Sequence, residues 1–441
     1  MTPAFEPGTS AMLFPAALFV VSYGLIMTER LNRAVIVILA ACIAIALGFL
    51  TQADAINSID FNTLALLIGT MIIVGITKKS GIFGYLAIRT AQALHASPAG
   101  ILAGLSFVTA VISAFLPNAT TVLFIVPVTF VIASELRVPV YPFLFAEIFA
   151  SNIGGTATLI GDPPNILIGS AAHLSFNDFL FTLAPAVVLV FAVQILLLHL
   201  LWGRSLRAGQ ADRARIMAMH AKGAIAEARL VPASLGVILG LIAALVFAGK
   251  LGLEAGTIAL LAAGLLMLLD HGPRPKEAHS ETVTSAFMEV DWVTIFFFIG
   301  LFVMVGAIAK AGVLDYLGRQ LLAATGGDVR VTALVMLWGG AIVSALVDNI
   351  PFVITLIPLI KGIAPAMGGD AAILPIWWSL ALGACLGGNG TLIGSAANLT
   401  VAGIAERSGA PIGFWRFNAA AFPLMLVSIA LCHVYVLWRF F

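Results

Sequence analysis

Long apolar runs dominate this chain, and their lengths predict its elements before any single residue does. At about 20 residues per spanning helix, full membrane crossings are expected near 11–29, 34–50, 61–77, 178–202, 230–249, 254–270, 292–309 and 415–438. Two further segments, 145–172 and 373–404, are long but interrupted by Gly and Pro and read as broken crossing helices. Two more, 100–134 and 331–362, are interrupted midway by Asn118 and Asn349 and read as re-entrant hairpins. The mildly amphipathic stretches 80–98 and 311–325 read as interfacial arms.

Composition removes the alternatives. Of 441 residues, 61% are hydrophobic and 10% charged, against roughly 45–50% and 25% in soluble domains. A soluble enzyme, a nucleic-acid binder and a disordered chain are excluded, and a net charge of +1 leaves no basic footprint for nucleic acid. Cys42, Cys385 and Cys432 are scattered, and the histidines form no HExxH or HxxH pair, so no metal or other cofactor is expected. No GxSxG elbow marks an intramembrane hydrolase. Met1–Ser10 lacks Lys and Arg, so the first apolar run reads as a retained span rather than a signal peptide.

The positive-inside rule orients the spans. With the polar connection 203–229 in the cytoplasm, sixteen of the 22 Lys and Arg lie inside and six outside, and both termini face out.

Self-comparison reveals a duplication. A shift of 231 superposes Asp60, Thr63, Gly69, Gly75, Lys79 and Gly81 on identical residues at Asp291, Thr294, Gly300, Gly306, Lys310 and Gly312. It also places Ser113, Asn118 and Pro127 on Ser344, Asn349 and Pro358. A shift of 233 places Gly154-Gly155, Thr158 to Gly161 and Asn165 on Gly387-Gly388, Thr391 to Gly394 and Asn398. Each half holds five crossings and one hairpin; five is odd, so the halves enter the membrane from opposite sides. The expected fold is an all-α polytopic membrane protein of two inverted-topology repeats, 11–202 and 230–438, joined by the cytoplasmic linker 203–229.

Gly and Pro open helices, and Asn, Thr and Ser then offer neutral donors and acceptors beside the freed peptide groups. Irregular backbone is tolerated at membrane depth only inside protein or along a cavity. The expected solute-binding residues are Asn118, Thr120, Thr121, Gly155, Thr156, Thr158 and Asn165 from the first half. The second half contributes Asn349, Gly388, Asn389, Thr391, Ser395 and Asn398. Asn118, Asn165, Asn349 and Asn398 are expected to converge on one cavity near the midplane. Carboxylates are costly at that depth and functional by default, which singles out Asp348, Asp162 and Glu147 for proton coupling, with Asp348 foremost.

The strings Asn152–Asn165 and Asp348–Pro351, with the doubled hairpin and broken-helix plan, resemble the ion transporter superfamily. Within it they look like the arsenite/antimonite efflux permeases, with related sodium/proton antiporter and P-protein branches. One departure stands out: Pro117 precedes the first hairpin Asn, where an acid is common in the branch. The resemblance implies an elevator-type homodimer in a bacterial or archaeal cytoplasmic membrane, with a soluble ATPase as a further partner. It also implies export of arsenite and antimonite, neutral hydroxides near pH 7, in exchange for protons. Sodium/proton exchange and sodium-coupled dicarboxylate or inorganic anion transport are the alternatives.

The orientation is testable by itself. Single cysteines in Thr51–Asp60 should react with an impermeant reagent from outside intact cells, and cysteines in Gly203–Arg229 only after permeabilisation. A cytoplasmic C-terminus would defeat the odd crossing count.

Overall fold

A computed structural model describes residues 9–28, 30–272 and 274–441, and among them every regular element is a helix. The first half contains α1 (Thr9–Met27), α2 (Arg33–Ala46), α3 (Gln52–Asn57), α4 (Phe61–Lys79) and α5 (Ile82–Ala93). It continues with α6 (Pro98–Ser113), α7 (Asn118–Leu136), α8 (Tyr141–Gly155), α9 (Pro163–Ala172) and α10 (Phe176–Leu198). A short α11 (Gln210–Ala218) lies in the polar connection. The second half contains α12 (Leu230–Val246), α13 (Ala248–Leu251), α14 (Ala255–His271), α15 (Lys276–Met288) and α16 (Trp292–Lys310). It ends with α17 (Val313–Thr325), α18 (Val329–Leu346), α19 (Asn349–Ile363), α20 (Leu374–Gly387), α21 (Ala396–Arg407) and α22 (Phe414–Phe440).

All eight uninterrupted runs appear as helices, and seven helices among the described residues are long and apolar enough to cross a membrane. The four interrupted segments each appear as two helices with a break between them, at 114–117, 156–162, 347–348 and 388–395. The second run ends early: α2 stops at Ala46, just before Gly48 takes a left-handed φ of 78°. Helix α15 was not expected, because its Lys, Glu and His residues mask it as a polar loop.

Helix starts repeat as the sequence does. Phe61 and Trp292, Ile82 and Val313, Pro98 and Val329, and Asn118 and Asn349 each lie 231 apart; Tyr141 and Leu374, and Pro163 and Ala396, lie 233 apart. The reason is local chemistry repeated. Asp60 caps α4 through the Thr63 amide (3.1 Å), and Asp291 caps α16 through Thr294 (3.1 Å). Gly81 and Gly312, at φ 77° and 78°, turn the chain from those helices into the amphipathic arms α5 and α17. At Gly81 a Cβ would also fall 1.9 Å from the Ala224 carbonyl, so only glycine fits.

Packing crosses between the halves: α4 lies on α14 while α16 lies on α2, and α7 meets α21 while α19 meets α9. Within each half, α8 packs on α6 and α20 on α18. Small residues permit these approaches, as in membrane helices generally. A Cβ on Gly154 would lie 2.1 Å from the Ala110 carbonyl oxygen, and one on Gly387 2.5 Å from that of Ala341. Val20, Phe181, Leu239, Leu261 and Trp438 project outward, forming an apolar exterior suited to lipid.

Ion pairs mark two ends of the molecule. At one end the connection 203–229 meets Lys78–Glu289 (3.5 Å), Lys79–Asp270 (3.7 Å), Arg274–Glu227 (2.9 Å) and Arg215–Glu135 (3.0 Å). At the other, Lys310 pairs with Asp54 at 2.5 Å. Every one of these pairs joins residues that the charge rule assigns to the same side.

Gly154→Ala should therefore cost about 1–3 kcal/mol, the range for overpacking, seen as a lower melting temperature in detergent. Gly236→Ala is the control: its Cβ meets nothing within 4 Å, so Tm should hold or rise.

Candidate functional site

The four helix breaks meet at the centre, and Asn152 of α8 joins three of them. Its Nδ2 donates to Asn389 Oδ1 and Asn398 Oδ1, both at 2.9 Å. Its Oδ1 accepts from Asn118 Nδ2 (3.1 Å) and Ser395 Oγ (3.0 Å). One amide thus binds the first hairpin tip to both ends of the second half's broken segment. Ser151 reinforces it, donating from Oγ to the Asn118 carbonyl at 3.0 Å.

Around this hub the broken helices are held by paired ties. The Thr158 hydroxyl donates to the Ala114 carbonyl and the Thr391 hydroxyl to the Ala345 carbonyl, pinning each unwound segment to its own hairpin. Asn165 Nδ2 donates to the carbonyls of Thr156 (3.1 Å) and Thr158 (2.9 Å); Asn398 Nδ2 does the same to Gly388 (2.7 Å) and Thr391 (2.8 Å). Thr156 Oγ donates back to the Asn152 carbonyl at 2.7 Å. Gly155 and Gly388 lie against Gly161 and Gly394, where a Cβ would fall 2.9 and 3.0 Å from carbonyl oxygens. These residues supply the partners that unwound peptide groups require away from water.

The three acids sit in three different settings. Asp348 is bound on both oxygens: Oδ2 lies 2.6 Å from Arg33, and Oδ1 accepts the Ile350 amide (3.1 Å) to cap α19. Arg33 also donates to Thr294 Oγ (3.3 Å) and lies 4.9 Å from the Phe297 ring centre. Asp162 occupies the cap position of α9 without making a side-chain cap bond. It lies beside Asn118, Asn349 and Cys385, fully buried, with Oδ2 unpartnered. Glu147 is buried between α8 and α7, accepting from Thr129 Oγ at 2.5 Å with Oε2 unpartnered. Asn349 Nδ2 and Asn389 Nδ2 are likewise buried without partners.

A cavity of about 620 Å³ opens against this cluster. Pro117, Asn118, Ala119 and Thr120 of the first tip and Val347, Asp348 and Ile350 of the second line it, with Pro163, Ala396, Leu399 and Thr400 from the broken helices. Its far wall carries Arg33, Gly75, Glu289, Asp291 and Thr294. Because Glu289 pairs with Lys78, and Ser80 accepts the Ala226 amide at 3.1 Å, the cavity leads to the end where the connection 203–229 lies.

The expected residues thus divide. Asn118, Thr120 and Asp348 line the cavity. Asn165, Asn349, Asn389, Ser395 and Asn398 converge with Asn118, but in a buried cluster behind the cavity wall rather than on its surface. Gly155, Thr156, Thr158, Gly388 and Thr391 maintain the breaks, and Thr121, bonded to the Pro117 carbonyl at 3.3 Å, supports the tip. Glu147 lies apart, on the α7 side of α8.

Sequence reasoning missed Asn152, Cys385 and Arg33. The first two occupy equivalent positions 233 apart: Asn152 donates to Asn398, and the Cys385 thiol lies 3.4 Å from Asn165 Oδ1. An amide within an otherwise apolar helix was the available signal. Arg33 was placed among loop charges, and only the fold brings it to the hairpin tip. Among the described residues, no group of three or more His, Cys, Asp or Glu side chains is arranged to hold a metal ion.

Known proteins resemble this chain over nearly its whole length. The family model described as "CitMHS: Citrate transporter" matches residues 23–383. An uncharacterized transporter of Mycobacterium tuberculosis is 42% identical over 429 residues, covering 96% of this chain and 97% of its own. The P protein of Mus musculus is 30% identical over 498 residues, covering 94% of this chain and 59% of its own. Among solved structures, the YdaH transporter of Alcanivorax borkumensis aligns with a TM-score of 0.60 at 14% identity, covering 97% and 98% of the two chains. That likeness concerns the fold alone.

Replacing the hub gives a sharp test. Asn152→Ala leaves Asn118, Asn389, Asn398 and Ser395 each short of a buried partner, at about 1–3 kcal/mol per orphaned group. Both Tm and transport should fall, whereas Thr120→Ala, which removes a cavity hydroxyl, should spare Tm.

Proposed function

The chain belongs to the CitMHS citrate transporter family, a membrane transporter by fold and kin, and on that premise we propose that it is a proton-coupled exporter of a small uncharged polar solute. Trivalent arsenic and antimony hydroxides are the candidate substrates. The observation that carries this reading is the charge of the cavity. Its wall holds three carboxylates and one guanidinium: Asp348 is paired with Arg33 and Glu289 with Lys78, which among the described residues leaves Asp291 without a cation and the lining with no uncommitted cation. A polycarboxylate would meet net negative charge there. A neutral hydroxide would instead meet amides, hydroxyls and helix termini that need no counter-charge.

In this reading the two halves are inverted repeats working by alternating access, in the elevator manner expected of the fold, and the end bearing 203–229 is cytoplasmic. The doubled helix starts and the crosswise packing of α4 on α14 and α16 on α2 support it. Asp162 is the proton carrier. Sequence alone favoured Asp348, but that acid is occupied by Arg33 and by the α19 cap, whereas Asp162 has a free oxygen beside both hairpin asparagines. Proton binding there, within reach of Asn118 and Asn349, would register whether the tips are closed on a solute.

A citrate reading draws on the family's description and on Arg33, so both are tested together. Everted membrane vesicles, acidified inside, are offered arsenite, antimonite, Na⁺ and citrate in parallel. Arsenite or antimonite should accumulate, and collapsing the proton gradient should stop it. Asp162→Asn should abolish accumulation while leaving downhill flux measurable. Gradient-driven citrate movement without arsenite movement would overturn the substrate, and unaltered accumulation by Asp162→Asn would overturn the carrier.

A further inference from the structure

The cavity has a smaller counterpart at the opposite end. A hollow of about 380 Å³ is lined by Asp60, Leu167, Phe302, Gly306 and Ile354, with Ala309 beside the Lys310–Asp54 pair. The repeat offsets carry these residues onto the large cavity: Asp60 onto Asp291, Leu167 onto Thr400, Phe302 onto Met71, Gly306 onto Gly75, and Ile354 onto Leu123. Three of the five pairs are more exposed on the large-cavity side, Asp291, Thr400 and Leu123 against Asp60, Leu167 and Ile354. Leu123 is 38% exposed and Ile354 2%. Thr400 is partly exposed, whereas Leu167 is buried.

The difference has a visible cause at the second hairpin. Its first turn is fastened to α1 and α2: Asp348 to Arg33 at 2.6 Å, and the Pro351 carbonyl to the Tyr23 hydroxyl at 2.7 Å, which also lies 3.0 Å from Thr355 Oγ. The first hairpin carries Pro117 where the second has Asp348, and Phe124 where it has Thr355. Neither side chain can form such a bond.

We propose that the small hollow is a second solute vestibule in its closed form, and that the Arg33–Asp348 pair with Tyr23 is the latch that keeps it closed. The inference rests on the alternating-access reading above. Moving the second hairpin away from α16 opens the hollow and breaks the latch; the ion pairs of the first hairpin, Glu135 and Arg137 with α11, lie at the far end of α7 and none ties its tip. Two related conformations are then unequal in energy, and the cavity stands open toward the 203–229 end. A ligand or a mutation shifts such an equilibrium only by its differential effect on the two states, and the latch exists in one of them.

The test reads conformation rather than transport. In a Cys42→Ser background, where Cys385 and Cys432 are buried, Leu167→Cys or Thr400→Cys is labelled with an impermeant maleimide from each side of oriented vesicles. With the latch intact, Thr400→Cys should react from the 203–229 side and Leu167→Cys scarcely at all. Arg33→Ala and Asp348→Asn should each raise Leu167→Cys labelling from the opposite side about 5-fold or more, the low end of inter-state couplings, and lower that of Thr400→Cys. The double variant should do no more than either single one, and Arg33→Lys should retain much of the latch. Tyr23→Phe, which removes a single hydroxyl, should act in the same direction and serves if a charge variant fails to fold. If adding solute exposes Leu167→Cys but latch variants leave its labelling unchanged, the latch is refuted while alternating access stands. If Leu167→Cys reacts under no condition, the vestibule and the alternating-access reading fall together.

Discussion

Peptide groups freed by a broken helix cannot turn to water at the centre of this protein, and most of the structure follows from satisfying them. Four chain breaks meet in one place, which concentrates the cost. Thr158 and Thr391 answer it by tying each unwound segment to its hairpin, and Asn165 and Asn398 by capping the carbonyls that the breaks release. Side chains that look like ligands in sequence are thereby largely committed to the fold. What remains for a solute is the set that these ties leave over: Asn118 and Thr120 on the cavity wall, and the unpartnered amides of Asn349 and Asn389 behind it.

Chemical interest lies where the two halves disagree. Shared positions hold the framework, so replaced ones are free to differentiate. Asn152 stands opposite Cys385, Asp162 opposite Ser395, and Asp348 opposite Pro117. Ser395 caps its helix through the Ala397 amide (3.3 Å), which Asp162 does not do for its own. The same backbone position serves structure in one half and is left chemically open in the other. A carboxylate left unused at depth is expensive, and such departures from the repeat are better pointers to function than the repeat itself.

Much of this was legible in the chain because membrane helices write their lengths plainly. Apolar runs marked the long helices, Gly and Pro marked the breaks, and matched Asp, Asn, Gly and Pro marked helix starts that recur at offsets of 231 and 233. The misses share a physical origin. Helix α15 is polar, so hydropathy was silent about it. Arg33 reads as a loop charge until the fold sets it 2.6 Å from Asp348, 315 residues away. Asn165 and Asn398 were expected among the solute ligands because an amide that holds backbone and one that holds solute have the same side chain. Burial distinguishes them, and burial is a property of the fold.

The crosswise packing of α4 on α14 bears on how the molecule is made. Gly69 fits against Ala259, 190 residues downstream, so the small-residue face of α4 has no partner while the first half is being synthesised. At about 5–20 residues per second, the ribosome takes roughly ten to forty seconds to supply it. The early helices must wait in the bilayer, where lipid rather than water covers their apolar faces. The buried polar centre closes late, when the α20–α21 segment delivers Asn389 and Asn398 to an Asn152 made with the first half.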